Sequence, residues 1–286
     1  MPPKPTIIHN IVTQWDEQEK GDHSNLTAPA WEQGIQDTLN ALYFMPPYVT
    51  SRIIVDAFVG TGRKATIKPF PKRSFKDPKT GELIAANADA EASDRQAATQ
   101  RGKKTEPDKY TGQSGVGTGQ GSDEVIGFVA QDFDSPSSGT SMDPADEALF
   151  HELVHAWRSA IGMDSGDQKV VPPGPLYARG DLDKPNPHSQ DYQNFEEFVA
   201  VLITNIYRSE CGRSGLVRDH AGIHRLFHPL TNARNFLSLW RTQVDQLCRE
   251  ALSVCNQLAQ VNCSFNPIFE LYQDQGRFLP GGRALR

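Results

Sequence analysis

Two histidines four residues apart, with a glutamate directly after the first, are the feature that most restricts how this chain folds. They lie in the segment 150–158, which reads FHELVHAWR. On an α-helix, positions i and i+4 share one face, so the imidazoles of His151 and His155 can point at one ion. Glu152 flanks the pair and can act as a general base on a water molecule held there. The pattern therefore predicts a helix that carries two ligands of a catalytic zinc site.

The residues around the motif are typical of a helix. Asp143 and Pro144 are suited to an N-cap and a first helical position. Three large apolar residues recur every four positions and would give the helix a side that can be buried: Leu149, Leu153 and Trp157. The alternative is a surface helix that carries two histidines by coincidence.

A third metal ligand is expected from a second helical segment, 194–203. A glutamate from a neighbouring helix is the usual partner of two histidines in one class of zinc site. Glu196 and Glu197 are adjacent and would point about 100° apart on a helix, so only one can face the metal. Glu197 is the preferred ligand, because Ala200 leaves room for a close helix approach one turn later. Glu196 is then a solvated carboxylate or one that orients a ligand histidine.

Composition and the first residues restrict the class of protein. The formal net charge is −6 over 286 residues, which does not favour nucleic-acid binding. No stretch approaches the roughly 20 apolar residues of a membrane span. The start of the chain, 1–5, lacks the apolar region of a Sec signal peptide, so export would need another route.

The chain divides into an N-terminal arm, 1–28, and one domain, 29–286. The arm has apolar residues spaced like a short helix or like a segment that packs on the body. Within the domain, 30–44 is predicted to be a helix and 49–58 a short helix or a strand. The segment 64–70 alternates as a strand would.

A long segment, 71–123, holds almost no large apolar residues and ends in a glycine-rich run. Such a composition cannot bury a core, so a mobile insertion is expected, either a lid or a tolerated surface loop. The segment 124–130 then returns as a strand. It could form the edge of a cleft, where an extended peptide pairs by β-augmentation, or it could be a core strand.

The remaining segments carry weaker signals. Three residues of the proline-rich loop could donate a hydrogen bond to an oxyanion, although a packing or surface role is favoured for each: Tyr177, His188 and Tyr192. A helical C-terminal extension is expected from about residue 210. Its four cysteines lack C-x-x-C spacing, which disfavours structural zinc. A disulfide between Cys255 and Cys263 and reduced thiols both remain open.

The order of these segments and the two short motifs resemble the bacterial effector zinc metallopeptidases. That group includes type III effectors that cleave host kinases and toxin domains carried on type VI secretion spikes. The resemblance covers 31–208. Glu197 lies 42 residues after His155 and begins an E-x-x-A segment, which matches the place of the third ligand in those families.

The resemblance implies an α+β fold of the zincin-like, gluzincin type, with a helical body and a small mixed or antiparallel sheet at the cleft edge. One Zn²⁺ per chain would be held by His151, His155 and Glu197, and Glu152 would be the catalytic base for peptide hydrolysis. The protein would be delivered without a Sec signal into the cytoplasm or periplasm of a target cell. Its partners would be a protein or peptide substrate there and a secretion-machinery, chaperone or immunity protein.

Two other classes remain open. One is an interaction protein stabilised by structural zinc, which a fourth protein ligand would favour. The other is a zinc hydrolase of cell-wall amides or esters, which activity on peptidoglycan fragments but not on proteins would favour.

Overall fold

The computed structural model describes residues 4–18, 23, 25–44, 48–70, 73–76, 83–86, 88–93, 120–133, 144–164, 192, 194–213, 215–217, 226, 230–276, 278–279 and 283–284. Within these ranges the protein is mixed α+β, with seven α-helices and a five-stranded mixed sheet.

The main sheet has three parallel inner strands and an antiparallel strand at each edge. Its members are β1 (Lys4–Pro5), β2 (Ile11–Thr13), β3 (Ala65–Lys68), β6 (Ala88–Ala92) and β7 (Glu124–Phe128). Their order across the sheet is β1-β2-β3-β7-β6. β2, β3 and β7 run parallel, whereas β1 and β6 run antiparallel to their neighbours. Two small hairpin sheets pair β4 (Arg73–Lys76) with β5 (Leu83–Ala86), and β8 (Phe278–Leu279) with β9 (Arg283–Ala284).

Helices surround one central helix. They are α1 (Ala28–Tyr43), α2 (Val49–Gly60), α3 (Ala145–Ala160), α4 (Phe195–Glu210), α5 (Ala233–Glu250), α6 (Leu252–Leu258) and α7 (Pro267–Asp274). α3 contacts α1, α2, α4, β6 and β7. Every residue of α3 is buried except His155, which is partly exposed, so α3 is a core helix. None of the helices in the described ranges combines the length and apolar character of a membrane span.

Most of the predicted elements are confirmed. The helix predicted at 30–44 is α1, the strand at 64–70 contains β3, and the strand at 124–130 contains β7. The ambiguous segment 49–58 lies in helix α2. The C-terminal segment is helical from α5 to α7, with a break at Ala251, where φ is −133° and ψ is 50°.

The N-terminal segment forms strands and not the short helix that its spacing allowed. Residues 11–13 of β2 pair in parallel with residues 65–67 of β3. Ile8, Ile11 and Trp15 are buried in the hydrophobic core. A short apolar run fits the period of a helix as well as that of a strand. Pairing with a strand that is distant in the sequence therefore decides the conformation here.

The segment 71–123, which was expected to be a mobile insertion, contains strands in the parts that the structure describes. β4, β5 and β6 all lie in this segment. β6 alternates between partly buried and exposed residues and pairs with β7 along its whole length. Backbone hydrogen bonds require no large side chains, so a strand of alanines and acids can still form an edge. β7 consequently lies between β3 and β6 and not at the sheet edge.

The four cysteines are free thiols in this structure. Cys255 lies against Cys248, and the hydrogen bond between the two thiols together with burial raises the pKa of Cys255. The Cys263 thiol donates instead to the carbonyl of Phe265, at 3.3 Å. The disulfide between Cys255 and Cys263 that the sequence left open is not formed.

Gly121 connects the start of β7 to the end of α3 by a close backbone approach. Its φ is +72°, and a Cβ there would lie 1.8 Å from the Ala160 carbonyl oxygen. The next residue, Ser122, donates its backbone N–H to the Ser159 carbonyl at 3.1 Å. Glycine is therefore required both for the left-handed conformation and for the contact.

We predict that Gly121→Ala lowers the free energy of unfolding by about 3 kcal/mol or more. Left-handed strain accounts for about 1–2 kcal/mol, and the clash with Ala160 adds the rest. Gly62→Ala is the matched control, because Gly62 has the same φ of +72° but nothing within 4 Å of an added Cβ. Urea denaturation of both variants measures the difference, and equal losses would show that the contact with α3 has no energetic weight.

Candidate metal centre

Helix α3 begins one residue later than the sequence predicted. Pro144 is the N-cap and not the first helical residue, and its carbonyl accepts a hydrogen bond from the Glu147 N–H at 3.0 Å. Asp143, the predicted N-cap, lies outside the described residues. The helix then runs without interruption through the motif to Ala160.

The two motif histidines lie side by side on α3, as their spacing requires. The Nε2 atoms of His151 and His155 are 3.1 Å apart, and the rings meet edge to face. The His151 side chain is fully buried, whereas that of His155 is 15 % exposed. Of the two imidazoles, it is therefore that of His155 that solvent reaches.

Helix α4 brings a carboxylate to the same point. Its N-cap is Asn194, whose Oδ1 accepts a hydrogen bond from the Glu197 N–H at 2.8 Å. The Glu197 carboxylate oxygen Oε2 lies 3.5 Å from Nε2 of His151 and 3.7 Å from Nε2 of His155. The structure thus brings together the three residues that the sequence analysis proposed as ligands.

The three ligand atoms form a triangle with sides of 3.1, 3.5 and 3.7 Å. Ligands at zinc distances of about 2.0–2.2 Å in a tetrahedron are separated by roughly 3.3–3.6 Å. The triangle therefore has the size needed for all three atoms to contact one ion, and the group could bind a metal. In the described ranges, no further His, Cys, Asp or Glu joins the group.

Glu196 points elsewhere. It is buried, and its two carboxylate oxygens accept from Arg158, at 3.0 Å from Nε and 2.8 Å from Nη2. The Arg158 Nη2 also donates to the Glu250 carboxylate on α5, at 2.7 Å. The adjacent glutamates therefore have different partners: Glu197 faces the histidines and Glu196 faces an arginine of α3.

The acidic surroundings change the protonation of His155. Burial lowers its pKa, but the charges of Glu197 and Glu152 outweigh burial and raise the pKa to about 10. Glu152 is itself buried and is near enough to contribute to this shift. Without a metal, His155 therefore holds a proton at neutral pH.

Glu124 is a buried carboxyl group beside the site that the sequence analysis did not single out. It is 2 % exposed, and burial raises its pKa to about 9, against smaller opposing contributions from His155 and from a hydrogen bond with Ser159. The available signal was the period-2 alternation of β7, which places Glu124 on the same buried face as Ile126 and Phe128.

Of the three candidate oxyanion donors, Tyr192 is the one that lies in the described part of the chain. Tyr192 is buried, with its ring edge to face against Phe198 at 5.1 Å and Trp240 at 5.2 Å, which is a packing arrangement. Tyr177 and His188 lie outside the described residues.

Comparisons with protein-family models, with curated proteins and with solved structures found no match for this chain. Function is therefore inferred from the chemistry of its side chains.

We predict that metal binding releases a proton from His155 and tightens with rising pH. Since the pKa of His155 is about 10, an ion must displace its proton, and apparent affinity should rise about tenfold per pH unit between 6 and 8. Competition with a chromophoric zinc chelator measures the affinity. Titration calorimetry in buffers of different ionisation enthalpy counts the protons. Affinity that does not change with pH would contradict a protonated His155.

We predict that Glu124→Gln stabilises the metal-free protein increasingly as pH rises. Glu124 keeps its proton in the folded chain up to about pH 9 but loses it near 4.5 when unfolded. Wild-type stability should therefore fall across this range, by at most about 1.4 kcal/mol per pH unit, and glutamine removes that decline. Urea denaturation at pH 6 and 8.5 with a chelator present measures the effect. If the unfolding free energies of variant and wild type differ by the same amount at both pH values, the raised pKa of Glu124 is contradicted.

Proposed function

We propose that this protein is a zinc-dependent metallopeptidase of the zincin-like, gluzincin type. The observation that carries the proposal is the triangle of His151, His155 and Glu197 with Glu152 beside it. Two imidazoles and one carboxylate are the ligands of one class of catalytic zinc site. A glutamate directly after the first histidine is suited to hydrolysis, because it supplies a base next to the ligands.

The ligand count favours a catalytic site over a structural one. Structural zinc sites are closed by four protein ligands, whereas catalytic sites keep one position for water. The described part of the chain offers three ligands at this point. The side chains of His155 and Glu197 are 15 % and 14 % exposed, so a substrate has an approach on that side.

The chemistry divides between the ion and the protein. Zinc, when bound, lowers the pKa of a water molecule towards about 7 and polarises a carbonyl group. Glu152 would accept the proton of the attacking water and pass it to the leaving amine. His151 and His155 hold their rings on a rigid core helix, which keeps the reacting groups in one geometry.

A peptide is the favoured substrate because a sheet edge lies near the motif helix. β6 is the last strand in the order β1-β2-β3-β7-β6 of the main sheet, and it contacts α3. An extended peptide could add there by backbone hydrogen bonds. The β-augmentation role considered for 124–130 therefore passes to β6.

The setting in which the enzyme acts is proposed from the resemblance of its two short motifs to those of the bacterial effector zinc metallopeptidases. A bacterial effector or toxin would meet its protein substrate in the cytoplasm or periplasm of a target cell. A secretion, chaperone or immunity partner would accompany such a protein before delivery.

We predict that Glu152→Gln keeps zinc but loses hydrolysis by about 10²–10⁴-fold, because it removes the base and no ligand. Glu197→Ala removes a candidate ligand and should lose both zinc binding and hydrolysis. Elemental analysis measures zinc per chain, and mass spectrometry measures new termini in a proteome-derived peptide library. Wild-type rates in Glu152→Gln would refute the mechanism.

The other two classes give different results in the same experiment. Release of amines from purified peptidoglycan, without cleavage of the proteome-derived peptide library, would indicate a cell-wall hydrolase. Zinc bound with neither activity would indicate a metal-stabilised interaction protein.

A further inference from the structure

Two buried ion networks connect the same pair of helices, one at each end. Arg158 near the end of α3 pairs with Glu196 at the start of α4, and Glu147 at the start of α3 pairs with Arg208 near the end of α4. Because the end of α3 pairs with the start of α4 and the start of α3 pairs with the end of α4, the two helices run antiparallel. The metal ligands lie between the two networks.

The network at the site end is centred on Arg158 and is called here the Arg158 clamp, consisting of Arg158, Glu196 and Glu250. The Arg158 side chain is fully buried, and Phe195 lies beside its guanidinium, 5.8 Å from ring centroid to Cζ. Its guanidinium also donates to the Met163 carbonyl. The clamp thus joins α3, α4 and α5 through one guanidinium group.

The clamp lies directly next to the ligands in sequence on both helices. Arg158 follows His155 by three residues, which is less than one helical turn, and Glu196 immediately precedes Glu197. Adjacent residues of a helix diverge by about 100°, so the direction of Glu196 determines that of Glu197. When Glu196 meets Arg158, Glu197 is turned towards the histidines.

Apolar packing alone would not set this direction. Phe198 of α4 packs against Phe236 and Trp240, but apolar contacts are non-directional and tolerate small rotations and shifts. A bidentate arginine–carboxylate pair requires one planar geometry. Buried ion pairs can often be replaced by apolar residues without loss of stability, so stability alone is a weak reason for this one.

We propose that Arg158 and Glu196 are positioning residues for the metal site, which orient the first turn of α4 so that Glu197 reaches both histidines. This role rests on the proposed function, since it requires that the three ligands bind a metal. Neither residue belongs to the group of three candidate ligands. Their effect is carried by the helix backbone to Glu197.

The network at the far end supplies a matched control. Glu147 is fully buried and pairs with Arg208 and, at 2.7 Å, with Arg213. It is a glutamate between the same two helices and has comparable burial. Glu147 lies about one turn before His151. Its partner Arg208, however, lies eleven residues after Glu197, about three turns along α4, so this pair does not set the direction of Glu197.

The experiment compares Glu196→Gln with Glu147→Gln in the full chain. Zinc affinity is measured by competition with a chromophoric chelator, the visible spectrum of bound Co²⁺ reports coordination geometry, and urea denaturation reports stability. Glu196→Gln should weaken zinc binding about 10- to 100-fold and change the cobalt spectrum. Glu147→Gln should unfold more readily but keep the wild-type affinity and spectrum.

Two results would overturn the positioning role. One is wild-type affinity and spectrum in Glu196→Gln, and the other is an equal loss in both variants, which would reflect general destabilisation. If Glu196→Gln does not fold, Glu196→Asp keeps the charge but shortens the side chain. Glu196→Asp should then weaken zinc binding less than is expected for Glu196→Gln. Wild-type zinc affinity in Glu196→Asp would overturn the positioning role. A wild-type chain that binds neither ion would instead remove the proposed function itself.

Discussion

The antiparallel contact between α3 and α4 is the constraint on which the rest of this structure depends. α3 is buried almost completely, although it carries charged groups, among them Asp146, Glu147, Glu152 and Arg158. Burying such groups is costly unless each has a partner of opposite charge or a hydrogen bond. α4 supplies partners for both ends of α3 through Glu196 and Arg208. The helices can therefore occupy the core only in one register.

The same register creates the site between the two networks. Glu197 faces His151 and His155 from across the helix interface, and several carboxyl groups surround the pair. Their charges hold the pKa of His155 at about 10 despite its burial. A buried region that stabilises a protonated histidine also stabilises a metal cation in its place. The contact between α3 and α4 therefore determines both which charges are buried in the core and the charge around the candidate metal site.

Local patterns in the sequence predicted the elements whose formation depends on neighbours in the chain. The His151–His155 spacing indicates a shared helix face whatever surrounds the helix, and the apolar residues of 194–203 indicate α4. Local patterns did not specify the strands where distant pairing decides the outcome. Residues 11–13 became a strand because β3 was available, and β6 formed without large apolar residues because β7 offered an edge.

The sequence by itself determined that two histidines and a glutamate share one helix and that a second helix begins at a pair of acids. Only the tertiary structure decided which of those acids faces the histidines, because that choice depends on Arg158, 38 residues earlier in the chain than Glu196. The burial of Glu124 beside the site was decided in the same way, by the packing of β7 under α3. Helical spacing is a property of the backbone, whereas the meeting of side chains from different elements depends on how the whole core packs.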